Sequence, residues 1–129
     1  MQEREKLFGN YLEVTGFNAE PVLITYPDNN KLTELYLNAI RERPEYEFTT
    51  NKNRTHKLWV LDKESDIELI QNEFSSMPAL YIADGHHRYE TACNYRDELA
   101  AAGDLSPEHP ANFVLMMCVS MSDSGMIVL

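Results

Sequence analysis

The stretch Pro78-Ala79-Leu80-Tyr81-Ile82-Ala83-Asp84-Gly85-His86-His87-Arg88-Tyr89-Glu90-Thr91-Ala92 constrains this chain more than any other. The apolar run Leu80 to Ala83, bounded by Pro78 and Gly85, predicts a short buried strand. Asp84-Gly85 predicts a tight turn. After Arg88 the apolar positions take helical spacing, with Tyr89, Ala92, Cys93, Leu99 and Ala100 on one predicted face. A helix that opens directly from a glycine turn has first-turn N–H groups without intrahelical partners. Together with the positive end of the helix dipole they favour an anion. His86, His87 and Arg88 bring side-chain donors suited to phosphate oxygens to the same place. The alternative is that these side chains merely cap neighbouring carbonyls. Helix starts are ordinarily capped by Ser, Thr, Asp or Asn, so a His-His-Arg run there points towards a ligand.

The 129 residues suffice for one domain with a real core, 1–129. A net charge of −10 argues against coating DNA, which needs a basic face, but leaves room for a local basic pocket. No apolar run is long enough to span a membrane, and the chain does not open on a signal-peptide pattern. Cys93 and Cys118 stand far apart, which predicts reduced, buried thiols and a cytoplasmic protein. The charged opening Met1 to Lys6 and the apolar end Met126-Ile127-Val128-Leu129 suggest a segment of a longer protein. That last apolar strand is also an edge at which another copy can pair, so an oligomer is expected to be possible.

Taken in order, residues 2 to about 14 predict a helix with Leu7, Tyr11 and Val14 on one face, stopped at Gly16. Pro21 to Tyr26 predicts a strand closed by the turn Pro27-Asp28-Asn29-Asn30. Leu32, Leu35, Tyr36, Ala39 and Ile40 predict a helix to about Arg43, before Pro44. Tyr46 to Thr50 and Arg54 to Leu61, joined by Asn51-Lys52-Asn53, predict an antiparallel hairpin. Ser65-Asp66-Ile67-Glu68 has capping-box spacing and opens a helix to about Ser76, with Ile67, Ile70 and Phe74 inward. Gly103 ends the helix that follows the central turn, and Asp104 to Pro110 predicts a loop in which His109 is solvated. Phe113 to Val119 reads as a strand covered on both faces. The pattern is α/β, a mixed sheet with interleaved helices.

Ile82-Ala83-Asp84-Gly85-His86-His87-Arg88-Tyr89-Glu90-Thr91-Ala92 resembles the hallmark of a prokaryotic family, domain-of-unknown-function 1015, whose members are longer than this chain. His56-Lys57-Leu58-Trp59 and the approach from Pro21 to Tyr26 resemble that family too. The central box is also similar to the ParB and sulfiredoxin superfamily of nucleotide-binding domains. Gly85, Arg88 and Ala92 match the glycine, second arginine and alanine of the ParB Gly-Glu-Arg-Arg-x-x-x-Ala box, while His86 and His87 replace its glutamate and first arginine. His87, Arg88 and Tyr89 match the sulfiredoxin Gly-Cys-His-Arg-Tyr stretch, but His86 stands where the catalytic cysteine would be, which removes that chemistry. A free-serine kinase of the same superfamily uses a related Asp-Gly-His box with a nucleotide and magnesium. The resemblance therefore implies a ParB/sulfiredoxin-like fold.

It also implies a nucleotide ligand (ATP, ADP or CTP) with Mg²⁺ and, for a small-molecule kinase, an unidentified small acceptor; a nucleotide hydrolase is the related possibility. On the residues themselves, Gly85 suits positive φ and close approach to phosphate. Arg88 offers a bidentate fork. His86 and His87 can donate to phosphate, one of them carrying a proton. Asp84 either holds Mg²⁺ indirectly, accepts a proton, or simply caps the helix. Tyr89 and Ala92 are expected in the core, and Glu90 beside a neighbour or in solvent. His56 is a secondary candidate and Trp59 a core residue or interface anchor. Two other classes remain open at this stage: a non-catalytic nucleotide-sensing or interaction module, and a metal site at Asp84, His86 and His87.

Overall fold

The structure, a computed structural model, describes residues 9–11 and 14–126. Most of the first expected helix, and residues 127–129 of the final expected strand, lie outside these. Within them Val14 and Thr15 are helical and Gly16 has φ +69°, which agrees with the expected stop. The described chain forms two compact units, one built from residues up to Tyr26 and from Ala79 onward, the other from Pro27–Pro78. Its architecture is mixed α/β with a mixed sheet.

The first unit holds a three-stranded sheet. β1 (Val22–Tyr26) lies in the centre, flanked by β4 (Tyr81–Asp84) and β5 (Met116–Ser120). β1 and β4 are antiparallel, with Ile24 opposite Ile82 and an irregularity between Leu23 and Ile24; β1 and β5 are parallel, with Ile24 opposite Cys118. Val22, Ile24 and Tyr26 alternate onto the buried face of the central strand. The long helix α3 (His86–Ala102) lies against β1, and a short 3₁₀ turn (Pro110–Asn112) packs on α3. α3 stops at Gly103, whose φ of +81° closes the helix with bonds back to Ala100 and Leu99.

Several expectations need correction here. Among the described residues β4 and β5 are edges of the sheet, β4 largely exposed and β5 partly so; apolar runs alone cannot tell an edge from a centre, because strand order is set by pairing partners far away in sequence. The inward face of α3 runs through Arg88, Thr91, Ala92, Tyr95 and Leu99, with Thr91 buried and Tyr89 exposed. Cys93 is half-buried and Cys118 exposed, a consequence of the edge position of β5. Partial burial still pushes the Cys118 thiol above its ordinary pKa. His109 is half-buried and caps the 3₁₀ turn, its Nδ1 accepting the Ala111 N–H at 3.1 Å.

The second unit contains α1 (Asn30–Ala39), the hairpin β2 (Tyr46–Thr49) and β3 (Thr55–Leu58), and α2 (Glu64–Ser75). Asn29 caps α1, its side-chain oxygen accepting from the Lys31 and Leu32 N–H groups at 3.0 Å. Its amide also reaches α2 through Glu73 at 2.8 Å, beside a 2.6 Å Lys31–Glu73 ion pair. α1 ends at Ala39, before the Arg43 expected, and its inward stripe is Leu32, Leu35, Tyr36 and Ala39. α2 starts one residue ahead of the expected capping box: Lys63 is the cap residue and no side chain closes the end. Leu69, Ile70 and Phe74 form its half-buried stripe, while Ile67 is exposed. The second hairpin strand ends at Leu58, and half-buried Trp59 donates its indole N–H to the Glu42 carbonyl at 2.8 Å.

Candidate functional site

The β4–α3 junction brings Asp84, Gly85, His86, His87 and Arg88 into one turn. Gly85 has φ +88° and ψ 25°, the left-handed region in which any Cβ is strained, and it is the residue that caps α3. It has no side chain to offer, so the first turn of α3 has no side-chain cap; the helical ladder begins with the Tyr89 N–H to the Gly85 carbonyl at 3.0 Å. The reading of Asp84 as the helix cap is therefore corrected, because its carboxylate is turned to a different partner.

That partner is Arg88. Its Nη2 donates to Asp84 Oδ2 at 2.9 Å and to the Pro21 carbonyl at 3.2 Å, and its Nη1 donates to Glu20 Oε2 at 3.2 Å. The guanidinium lies folded over Gly85: a Cβ there would sit 2.8 Å from Nη2, 3.0 Å from Nε and 3.1 Å from Cζ. The Arg88 Nε is buried without a partner. Glycine at this position thus serves two demands at once, the positive φ and the space for the guanidinium. Arg88 in turn ties the end of β4, the start of α3 and the approach to β1 into one clamp. Glu20 and the Pro21 carbonyl were not legible as site groups. They precede Arg88 by 68 and 67 residues, and only the antiparallel register of β1 on β4 brings them close.

His86 and His87 are exposed, as are Asp84 and Glu90. His87 Nδ1 lies 4.0 Å from Glu90 Oε2, one turn along the helix. Tyr89, also exposed, sits beside Cys93; the hydrogen bond and the charge on that sulfur hold the phenol above its ordinary pKa. His56 belongs to the other unit, where it stacks on Phe48 with ring centroids 5.0 Å apart. Among the described residues no three His, Cys, Asp or Glu side chains converge to hold a metal ion. Among them, too, no helix is long and apolar enough to cross a membrane.

A family model described as "Protein of unknown function (DUF1015)" matches residues 1–129. The match spans the chain from end to end, and the chain belongs to that family. No curated protein and no solved structure matches the sequence significantly.

Proposed function

We propose that this member of the family binds the phosphates of a nucleotide, ATP, ADP or CTP with Mg²⁺, at the start of α3. The observation that carries the reading is the Gly85 cap: a left-handed residue with no side chain leaves the opening amides of a long helix uncapped, beside the exposed His86 and His87. The backbone N–H groups of the first turn are the primary donors and the two imidazoles the secondary ones. Arg88 acts first as a positioning residue, since its fork is already engaged by Asp84, Glu20 and the Pro21 carbonyl.

The donor set fits magnesium with a nucleotide. Mg²⁺ keeps most of its waters and needs only one or two protein carboxylates beside the phosphates. Asp84 and Glu20, both exposed and both on the same guanidinium, would be the carboxylates to hold such a hydrated ion, whose charge would offset their repulsion of phosphate. If the nucleotide turns over, to a small hydroxyl acceptor or to water, His86 or His87 is the group to carry the proton. The likeness of the box at 82–92 to the ParB and sulfiredoxin superfamily supports the same site and the corresponding fold. The widely separated cysteines support a cytoplasmic setting.

The test is a thermal-shift panel of ATP, ADP, CTP and GTP with Mg²⁺ on the chain and on a His86→Ala/His87→Ala variant. A nucleotide at about a hundred times its Kd stabilises by roughly 2.7 kcal/mol, a readable change in Tm. One nucleotide raising Tm in the wild type, with a smaller rise in the variant, is the expected result. No shift with any nucleotide, or equal shifts in both proteins, overturns the reading.

A further inference from the structure

One face of α3 leads from the arginine clamp into a cavity of the same unit. Arg88, Ala92 and Tyr95 follow i, i+4, i+7 spacing and share the inward stripe of the helix. The segment before β1 runs alongside that stripe. Glu20 and the Pro21 carbonyl bond to Arg88, while Gly16, Phe17 and Asn18 line the cavity with Ala92 and Tyr95. His109 to Ala111 and Phe113 complete the lining of a space of about 290 Å³. Ala92 and Ala111 leave it room, since neither side chain extends beyond Cβ. Phe113 also lines a second hollow of about 450 Å³ that reaches Cys93 and Tyr89, so open space continues along α3 towards its first turn.

The lining suits a flat ring with a polar edge. Phe17 and Phe113 are 58% and 68% exposed, and Phe17 is held edge-on by Tyr11 with centroids 6.1 Å apart at 72°. Exposed ring faces are stacking platforms for a nucleobase. Partners for its edge are present too. His109 Nδ1 accepts the Ala111 N–H at 3.1 Å, so the neutral imidazole carries its proton on Nε2 as a donor. The Tyr95 hydroxyl and the Asn18 amide each donate and accept. An alkyl chain would leave those groups without partners. Among the described residues no carboxylate, lysine or arginine lines this space, so the cavity does not itself select a phosphate.

We propose that this cavity receives the base of the nucleotide whose phosphates the start of α3 binds, so that the ligand is a nucleotide and not a polyphosphate or a sugar phosphate. The inference rests on the phosphate reading given above. At 1.5 Å per residue, Ala92 lies about 9 Å and Tyr95 about 14 Å along the helix from His86. An extended nucleoside di- or triphosphate covers that separation. Small-ligand sites begin at about 300 Å³, and a space of this size suits a base with its ribose. The phosphates then lie outside it, towards the turn. The two regions divide the recognition: backbone donors and the helix dipole answer charge, and the aromatic cavity answers ring area.

Isothermal titration with ATP, CTP, tripolyphosphate, adenosine and cytidine, all in Mg²⁺, tests the proposal. The expected result is that ATP or CTP binds about tenfold or more tighter than tripolyphosphate. Phe113→Ser removes a ring and Ala92→Leu fills the floor. Each weakens that nucleotide about tenfold and leaves tripolyphosphate unchanged. Tyr46→Ser, which removes an exposed ring of the other unit, changes neither, and circular dichroism confirms that each variant is folded. Tripolyphosphate bound as tightly as the nucleotides, or a nucleotide indifferent to both cavity substitutions, overturns the base site and leaves the phosphate reading standing. A nucleoside bound as tightly as its nucleotide, and lost in Phe113→Ser, keeps the cavity as a base site and overturns the phosphate reading. Binding of none of the five overturns both.

Discussion

The β4–α3 turn and the β2–β3 hairpin are both short, exposed and rich in aromatic or basic side chains, yet they leave opposite things undone. At the turn the Arg88 fork is engaged by Asp84, Glu20 and the Pro21 carbonyl, while the backbone amides of the helix start lack a side-chain cap. In the hairpin the backbone is laddered and its turn is closed, while Tyr46, Phe48 and Leu58 remain open to solvent. A surface of backbone donors selects for charge, and a surface of apolar side chains selects for area. The same chain thus presents one region suited to a small anion and another that offers such an ion nothing.

The sharpest way to break this contrast is Gly85→Ala. It adds left-handed strain and drives a methyl into the guanidinium, so chemical unfolding in urea should show a loss of about 2–3 kcal/mol. A loss under about 0.5 kcal/mol would mean that the clamp is not tight. Arg88→Ala comes next, at about 1–2 kcal/mol, because it removes a mostly covered side chain and its three hydrogen bonds, two of them to exposed carboxylates whose contribution is small. Arg88→Lys should recover only part of this, since one ammonium does not reproduce the planar fork.

The hairpin should behave oppositely. Phe48→Thr should change the stability by less than about 0.5 kcal/mol, measured in urea, because the ring is already exposed. The smallest effect concerns acid stability in the same unit. The Lys31 and Asn29 hydrogen bonds hold the Glu73 carboxyl below its ordinary pKa. A lowered carboxyl stabilises the fold above the ordinary value and loses that contribution as pH falls through the folded one. Lys31→Met should therefore flatten the decline in urea midpoint below about pH 4.5 and leave the neutral-pH limb nearly parallel to wild type.

Much of this was legible in local pattern. Pro21 to Tyr26, the hairpin, and the strand-turn-helix at 78–92 all appear close to where their residues place them, because turn glycines and alternating or helical spacing act over a few residues. Asn29 was visible in a turn cluster, and Gly103 as a stop. The errors share one cause. Among the described residues β4 and β5 read as covered strands and are edges; Tyr89 and Ala100 read as inward and are exposed, while Thr91 and Arg88 turn in; Ser65 read as a cap and lies inside α2. Each depends on what a residue meets from elsewhere in the chain. At the candidate site the residues of the turn were legible as a group, but the orientation of Arg88 towards Glu20 and Pro21 was not.

By itself, then, the sequence determined the α/β class, the position of the glycine turn, the family and the antiparallel hairpin, since propensity, periodicity and turn chemistry are short-range. Tertiary structure alone decided that β1 is the central strand, that Arg88 is folded over Gly85 and tied to Glu20, and that the apolar side of the hairpin is left uncovered. Those outcomes rest on contacts between residues distant in sequence, where register and packing, not local preference, set which groups meet.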